Sequence, residues 1–406
     1  MLGSTSRAIV RGILGQRARD PSMDFALTED AEVFRNTVRR FAEERLAPHY
    51  QRHDRDKTFP QQQLTECASL GLLGLRIPEK YGGSMGDCTL SGIACEEIAR
   101  ADFNVAYFPL MYGLIGEVLA NYASDELKRL WLPRMAAGEV VAGLGLTEPE
   151  SGSDAASLRC VAAREGDCYV LNGEKSSISL LERADMVTVF ARTGRVEDRG
   201  RGISAFVVPM DLPGVHRTKY NSMGSRCIGR GSLFLDGVRI PEAWRIGSEG
   251  QAFKMVMATF DYSRATIGLM CLGAAMGAID RTKAHVTIRR AFGQPLARFQ
   301  GVSFPIAEHL TLIEAARLLC YKTLWMRERG LRHTTEAAMC KWWAPKVAVD
   351  AIHECLLLHG HYGYTDEYPI EQQLRDVIGL EIGDGTAQIA KVVIAREQLG
   401  SDFRSH

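Results

Sequence analysis

The chain has 406 residues, of which 46% are hydrophobic and 24% are charged. A chain of this length is too long for one small core, so two or three domains are expected. Lysine plus arginine and aspartate plus glutamate both number 49, so no net charge attracts the protein to nucleic acid or to an anionic membrane surface. We therefore expect neither nucleic acid nor membrane as a partner.

The ten cysteines are scattered along the chain without any C-x-x-C pair. Secreted disulfide scaffolds are short and rich in cysteine, so this pattern predicts reduced, mostly buried thiols in a reducing compartment. The nearest approach to a metal-binding spacing is His359 and His361, and no third ligand accompanies them. No metal site is expected.

Residues 1–22 differ in character from the rest of the chain. They contain four arginines and a single acid, Asp20, and they lack the long apolar run of a secretory signal. We expect a disordered extension or a misassigned start, and a cytoplasmic protein. A transit peptide leading to the mitochondrial matrix is the alternative.

Residues 23–143 are predicted to form an N-terminal helical domain. Thr28 has the character of a helix N-cap. It is followed, at spacings of three and four until Pro48, by Ala31, Phe34, Val38 and Phe41. Helical patterns then continue, with breaks at glycine and proline, to the end of this region.

The period of the apolar residues changes in residues 144–250. The stretches 186–190 and 203–209 are typical of strands. Asn172–Gly173 and Asp236–Gly237 are favoured in two-residue hairpin turns. This region is therefore predicted to be a small antiparallel β domain.

Helical patterns return in residues 251–406. An apolar stripe along one predicted helix consists of Ile306, Leu310, Ile313, Ala316, Cys320 and Leu324. The uncharged run from Ala265 to Ile279 falls short of the ~18–20 residues that a membrane span needs. It is therefore expected to be a core helix or part of a subunit interface.

Two segments contain residues suited to catalysis. In Glu381–Ile389, Asp384 stands between two glycines, so its carboxylate lies on a loop whose backbone can approach a ligand closely. Taken alone, this segment also fits an acidic helix cap. In Leu144–Asp154, the string T-E-P-E-S-G-S-D matches neither the Rossmann nor the Walker spacing of glycines. A generic glycine-rich turn is the alternative interpretation of that string.

Together the two segments resemble those of the acyl-CoA dehydrogenases, and the resemblance runs from about Met23 to the C-terminus. It implies an α+β fold with an N-terminal helical domain, a middle antiparallel β domain and a C-terminal four-helix bundle, assembled as a homotetramer. It also implies FAD as the cofactor, an acyl-CoA as the substrate and an electron-transfer flavoprotein as the electron acceptor. The implied reaction is α,β-dehydrogenation of the thioester, in which a base removes a proton from Cα while Cβ delivers hydride to flavin N5.

The resemblance indicates which residue is the base. Asp384 occupies the position at which many members of the family carry a catalytic glutamate. A second location for the base, in one branch of the family, is the residue before Arg264, which here is Ser263 and has no carboxylate. Asp384 is therefore the predicted base. Aspartate is a weak base unless burial raises its pKa.

The same resemblance assigns binding residues. Ser177 replaces a tryptophan that commonly lies against the flavin, and Ser179 keeps a hydroxyl near the ring; ordinary strand polarity is the alternative for both. Asp261 and Arg264 match residues at the pantetheine of CoA, although an i,i+3 ion pair would give the same pattern. The expected cofactor contacts are Leu144, Leu146, Thr147, Gly152, Ser153, Ser177, Ser179, Arg289, Phe292, Thr386 and Gln388. The expected substrate contacts are Ser153, Asp261, Arg264 and Gly385.

Arg289 and Phe292 belong to an R-x-x-F-G string, which in the family reaches the FAD of a neighbouring subunit. An arginine at that place would pair with the phosphate charge of the cofactor. These two residues are thus expected to complete a site that two subunits share.

The strings at 259–264, 339–346 and 383–386 look most like the subgroup that acts on cyclohexane-1-carbonyl-CoA. A ring places a tertiary carbon at Cα, and Asp384 is one methylene shorter than glutamate. The shorter acid together with Ser177 opens volume beside the flavin. The alternatives are a dehydrogenase for 2-methyl-branched or other short acyl-CoAs, or a flavoprotein scaffold without turnover.

Overall fold

A computed structural model describes residues 26–400 as a helical part, a β-sheet part and a second helical part in chain order. The predicted extension at 1–22 lies outside these residues. The α-helices of the first part are α1 (Glu29–Phe41), α2 (Tyr50–Asp56), α3 (Gln61–Ser69), α4 (Cys88–Ala101), α5 (Tyr107–Tyr122) and α6 (Asp125–Ala136).

The first helix begins where the sequence predicted. The Thr28 side chain accepts a hydrogen bond from the backbone N–H of Ala31 at 3.3 Å, and Ala31 and Phe34 belong to the buried face. The α-helix ends at Phe41, and the chain passes through a π-helical turn and a 3₁₀ turn around Pro48. Periodicity therefore predicted the helix but not its change of pitch.

The middle part is built on one twisted sheet. Its strands are β1 (Ala142–Gly145), β2 (Val161–Glu165), β3 (Cys168–Ile178), β4 (Met186–Arg192), β5 (Ile203–Pro209), β6 (Val215–Lys219), β7 (Gly231–Pro241) and β8 (Arg245–Ile246). The order across the sheet is β6-β7-β3-β2-β4-β5-β8, with β1 beside β4. Neighbours are antiparallel except where β4 meets β1 and β2.

The hairpin turns predicted at Asn172–Gly173 and Asp236–Gly237 are wrong. Both dipeptides lie inside the long strands β3 and β7, where the pairing register shifts and two residues of β7 oppose one of β3. The Asn172 side chain accepts a hydrogen bond from the Gly237 N–H at 2.8 Å, and Gly237 has a φ of 63°. Glycine supplies the positive φ that a bulge can need as much as a tight turn does. The two dipeptides therefore indicated a backbone conformation that glycine favours, and they did not indicate a reversal of the chain.

The third part surrounds a central helix. Its helices are α7 (Ala252–Ile288), α8 (Gln300–Glu328), α9 (Thr334–Leu358), α10 (Ile370–Ile382) and α11 (Ala387–Leu399), with a short hairpin of β9 (Arg290–Ala291) and β10 (Gln294–Pro295) between α7 and α8. Helix α9 packs against each of the other four helices. On α8, the predicted stripe faces inward, and Ile313, Cys320 and Leu324 are buried.

Within residues 26–400, α7 is the one helix that is long and apolar enough to cross a membrane. In its most apolar window, 94% of the residues are buried inside the protein. This degree of burial is that of a core helix, as the run Ala265–Ile279 predicted.

The cysteines behave as core residues. All ten carry free thiols, and all except the half-buried Cys168 are buried, as predicted. Burial raises the pKa of the Cys160 thiol, and likewise of the Cys355 thiol, to about 11. These side chains stay protonated at neutral pH and pack as small apolar groups.

A buried carboxylate joins the three parts of the chain. Asp376 on α10 accepts hydrogen bonds from the Ser225 N–H at 2.5 Å, the Tyr50 hydroxyl at 2.8 Å and the Asn104 side chain at 3.1 Å. Since Asn104 and Ser225 lie shortly before α5 and β7, this network ties those two segments to α10, which leads into the next loop. That loop contains Asp384.

Candidate active site

Asp384 lies in the short connection between α10 and α11. Its φ is 56°, and that of Gly385 is 96°, so the chain turns sharply at this point. The cap of α11 is Thr386, whose side chain accepts a hydrogen bond from the Ile389 N–H at 3.3 Å. Asp384 is therefore not the helix cap, and its carboxylate is available for another role.

Asp384 is exposed to solvent, although protein atoms surround its carboxyl on the other sides. No atom outside residues 384–386 lies within 4 Å of the place where a Cβ on Gly385 would stand, so the space beside this loop is open. Burial among protein atoms raises the pKa of the Asp384 carboxyl, and the positive charges of Lys341, Arg230 and Arg264 partly offset the increase. A carboxylate with a raised pKa is a stronger base than an ordinary aspartate.

Lys341 on α9 supports the helix that leads into this loop. Its side chain is buried, and its ammonium donates a hydrogen bond to the carbonyl of Leu380 at 2.7 Å. That carbonyl belongs to the last turn of α10, where backbone acceptors lack partners within the helix. A cation at a helix C-terminus also interacts favourably with the helix dipole. Lys341 thus fixes the last turn of α10, immediately before the loop that contains Asp384.

Asp261 and Arg264 form the i,i+3 ion pair on α7 at 2.9 Å. Asp261 also accepts a hydrogen bond from the Thr334 hydroxyl at 2.8 Å, so α7 and the start of α9 are joined at this point. Ser263 is fully buried and donates to the Phe260 carbonyl. Ser263 therefore supplies no carboxylate at the second location of the base.

The loop after β1 is held by a buried ion pair. The Lys175 ammonium lies 2.7 Å from the Glu148 carboxylate, which also accepts hydrogen bonds from the backbone N–H groups of Arg159 and Cys160. The string T-E-P-E-S-G-S-D therefore contributes an internal clamp as well as exposed groups.

Several predicted cofactor contacts lie close to this clamp. Leu144 belongs to β1, Leu146 is buried, and Gly152 and Ser153 lie exposed beyond the clamp. Ser177 lies two residues after Lys175 in β3. It has a φ of 58° and is exposed at the point where the pairing of β3 with β7 changes register.

The hydroxyl groups of Thr147, Ser177 and Ser179 form no hydrogen bond with any residue in the described range 26–400. Buried or half-buried hydroxyls are normally paired, and Thr147 and Ser179 are half-buried. Two half-buried hydroxyls and one exposed hydroxyl, at or just beyond the ends of β1 and β3, are therefore free to bind a polar ligand. The residues present fit an isoalloxazine ring with its many hydrogen-bonding atoms.

The structure does not bring every predicted residue to one place. Arg289 and Phe292 lie at the hairpin after α7, and in the described chain they make no hydrogen bond, ion pair or ring contact with the other predicted site residues. Phe292 is 94% exposed. Gln388 is also exposed, on the first turn of α11.

Sequence reasoning missed three residues near Asp384. Lys341 lies inside the string 339–346, but the string does not show that its ammonium reaches α10. Tyr107 and Arg230 lie outside all the motifs, and only the fold brings both side chains near Asp384. No pattern in the sequence could have found them.

Comparisons with known proteins agree with this geometry. Models of the N-terminal, middle and C-terminal domains of acyl-CoA dehydrogenases match residues 28–139, 143–238 and 250–399. The chain is 36% identical over 379 residues to the probable acyl-CoA dehydrogenase YngJ of Bacillus subtilis, and the match covers 93% of this chain and 100% of that relative.

Solved structures give the same result. Butyryl-CoA dehydrogenase from Megasphaera elsdenii is 32% identical, with a TM-score of 0.89, over 93% of this chain and 100% of that chain. A structure from work on the electron transferring flavoprotein of Acidaminococcus fermentans is 31% identical, with a TM-score of 0.90 and the same coverage. Related structures of this fold contain FAD or its reduced form. The chain therefore belongs to the acyl-CoA dehydrogenase family and is a flavin-dependent oxidoreductase with FAD as its cofactor.

Proposed function

We propose that this enzyme converts cyclohexane-1-carbonyl-CoA to cyclohex-1-ene-1-carbonyl-CoA, with Asp384 as the base. The observation that carries the proposal is the short acid at Asp384, which opens onto free space beside Gly385. Ser177, small and exposed, adds room where a tryptophan is common in the family. A ring with a tertiary Cα needs such room, whereas a straight chain does not.

The residues divide the work in the following way. Asp384 accepts the proton from Cα, and its raised pKa makes it a stronger base than an ordinary aspartate. Asp261 and Arg264, joined to α9 through Thr334, hold the pantetheine arm and direct the thioester toward the loop. When bound, FAD supplies the acceptor for the hydride that leaves Cβ.

The hydroxyls of Thr147 and Ser179, and the exposed loop at Gly152 and Ser153, would hold the cofactor on the sheet side. Leu144, Leu146 and Ser177 would contact its ring, Thr386 and Gln388 would approach it from α11, and Gly385 and Ser153 would touch the substrate. Together these groups would hold the flavin and the thioester at the correct distance from Asp384.

We also propose a homotetramer. Ile288 is 79% exposed and Phe292 is 94% exposed at the end of α7, an unusual position for apolar side chains unless another subunit covers them. An electron-transfer flavoprotein is the proposed electron acceptor, and the similarity to a structure from work on such a protein supports it. The proposed location is the cytoplasm.

A dehydrogenase for branched or other short acyl-CoAs is the second candidate. The similarity to butyryl-CoA dehydrogenase favours it. The two functions are distinguished by anaerobic reduction of the bound FAD with a panel of acyl-CoAs that includes cyclohexane-1-carbonyl-CoA. Reduction is measured as the loss of the yellow flavin colour.

Asp384→Glu should lose activity on cyclohexane-1-carbonyl-CoA and lose less, or gain, on butyryl-CoA. The longer side chain moves the carboxylate about one C–C bond, ~1.5 Å, further into the pocket. A misplacement of ~1 Å can cost ~10²-fold when reacting atoms must meet. The measurement is kcat/KM for both substrates with both proteins. Equal losses on the two would show that Asp384 does not select ring over chain.

Arg289→Ala should weaken retention of FAD and, because the cofactor would bridge two subunits, should also weaken the tetramer by mass action. The measurements are the flavin absorbance per protein after gel filtration and the elution volume. Arg298→Ala, which removes another exposed arginine just after the same hairpin, is the matched control. An unchanged tetramer with full FAD would exclude Arg289 from the cofactor site.

A further inference from the structure

Three cations lie close enough to Asp384 to lower its pKa, and two of them are paired within the chain. The Lys341 ammonium donates to the Leu380 carbonyl, and the Arg264 guanidinium pairs with Asp261. Arg230 differs from both. Within residues 26–400, no carboxylate lies within ion-pair distance of its guanidinium.

Arg230 is positioned by the backbone that leads into β7. Its carbonyl accepts a hydrogen bond from the Tyr220 N–H at 2.7 Å, and the preceding Gly229 has a φ of 61°. The half-buried side chain makes a single side-chain contact, in which Nη2 donates to the Tyr107 hydroxyl at 3.4 Å. Most N–H groups of this guanidinium are therefore still available.

Tyr107 supplies a second donor at the same point. It is the first residue of α5 and is 3% exposed. Its hydroxyl oxygen accepts from Arg230, and in the described part of the chain no acceptor receives its proton. A buried hydroxyl normally finds a partner. The Arg230 guanidinium and the Tyr107 phenol thus form a pair whose charge and hydroxyl influence Asp384, and the remaining N–H and O–H groups of this pair meet no acceptor in residues 26–400.

Arg230 alone works against the reaction. A positive charge near a general base favours its ionised form and so lowers its affinity for a proton. A half-buried cation without a partner also costs stability. A negative group on the substrate would pair with Arg230 and would remove both penalties at the moment of proton transfer.

We propose that Arg230 and Tyr107 bind a second carboxylate on the acyl group, so that the mono-CoA thioester of a dicarboxylic acid is preferred over the corresponding acyl-CoA without that carboxylate, which the enzyme also converts. This inference rests on the proposed function in placing the acyl group at Asp384. Guanidinium groups bind carboxylates through parallel hydrogen bonds, and a phenol can add a third donor. In the alicyclic form of the substrate, the second carboxylate is a substituent of the ring.

The test compares substrates that differ only by a carboxylate. The pairs are cyclohexane-1-carbonyl-CoA with the mono-CoA thioesters of cyclohexane-1,3- and cyclohexane-1,4-dicarboxylic acid, and butyryl-CoA with glutaryl-CoA. Initial reduction of the bound FAD gives kcat/KM for its first half-reaction. The wild type should prefer the carboxylated member of at least one pair by about tenfold to a hundredfold, the range for hydrogen bonds to charged groups.

The variants remove one donor at a time. Arg230→Met should abolish the preference, and Tyr107→Phe should reduce it by a few fold while keeping the charge. The ratio of the two rates is the readout because a change in the pKa of Asp384 affects both members of a pair. Arg239→Met, which removes an exposed arginine of β7 that pairs with Glu165, should leave the ratio unchanged.

The outcomes separate this inference from the proposed function. No preference in the wild type, or the same preference in Arg230→Met, overturns the carboxylate site. Reduction by the straight-chain pair alone overturns the alicyclic proposal, and the ratio within that pair still decides the role of Arg230. If Arg230→Met does not fold, Tyr107→Phe with an unchanged ratio also counts against the site.

Discussion

Asp384→Asn is expected to abolish reduction of the bound FAD by substrate while FAD and acyl-CoA remain bound. The amide has the shape of the carboxylate but cannot accept the Cα proton, and removal of a positioned general base costs at least ~10²-fold. The measurement is anaerobic stopped-flow reduction at saturating acyl-CoA. The change of the flavin spectrum on binding confirms that the substrate is still present.

The control for this prediction is Glu381→Gln, which neutralises the neighbouring half-buried carboxylate near the end of α10. It should reduce FAD at close to the wild-type rate. Because burial raises the pKa of Asp384 in the folded state above its unfolded value, ionised Asp384 weakens folding as the pH rises above that unfolded value. The asparagine variant should therefore melt no lower than the wild type at neutral pH. Reduction at a near wild-type rate would place the base elsewhere.

Local patterns predicted the elements that are set by local chemistry. Thr28 caps α1, the stripe on α8 is buried, and the run Ala265–Ile279 forms the core of α7, because burial and capping follow from residue type and spacing. Asn172–Gly173 was misread because the same residues serve a bulge and a tight turn. Only the partner strand decides between the two.

The active site shows the same division. Asp384 could be found from its glycine neighbours and its resemblance to a family motif. Arg230 and Tyr107 could not, since they lie 123 residues apart in the chain and meet through a side-chain hydrogen bond between the start of α5 and the residue before β7. The sequence near either residue carries no sign of the other. The sequence thus predicts which acid is the base, as a proposal, and the charges around that acid are visible only in the fold.

Lys341 supports the loop that contains Asp384, and its replacement shows how strongly this support affects the rate of FAD reduction. Its ammonium is buried, and burial lowers its pKa while the negative charge of Asp384 opposes that shift. The hydrogen bond to the Leu380 carbonyl offsets part of the cost of burying the charge. A buried lysine at this position therefore acts on the proposed base in two ways: it holds the end of α10, and its charge favours the ionised form of Asp384.

Lys341→Met should lower the rate of FAD reduction by about 10²-fold, since an unpaired Leu380 carbonyl loosens the end of α10 and a shift of ~1 Å at the base has that effect. Loss of the cation should also raise the pKa of Asp384 further, so the acidic limb of the rate profile moves to higher pH. The measurement is the reduction rate at saturating substrate from pH 5 to 9. Lys346→Met, on an exposed face of the same helix and paired with Asp350, should change neither quantity. If the rate falls but the acidic limb of the pH profile stays at the same pH, the role of Lys341 is purely structural.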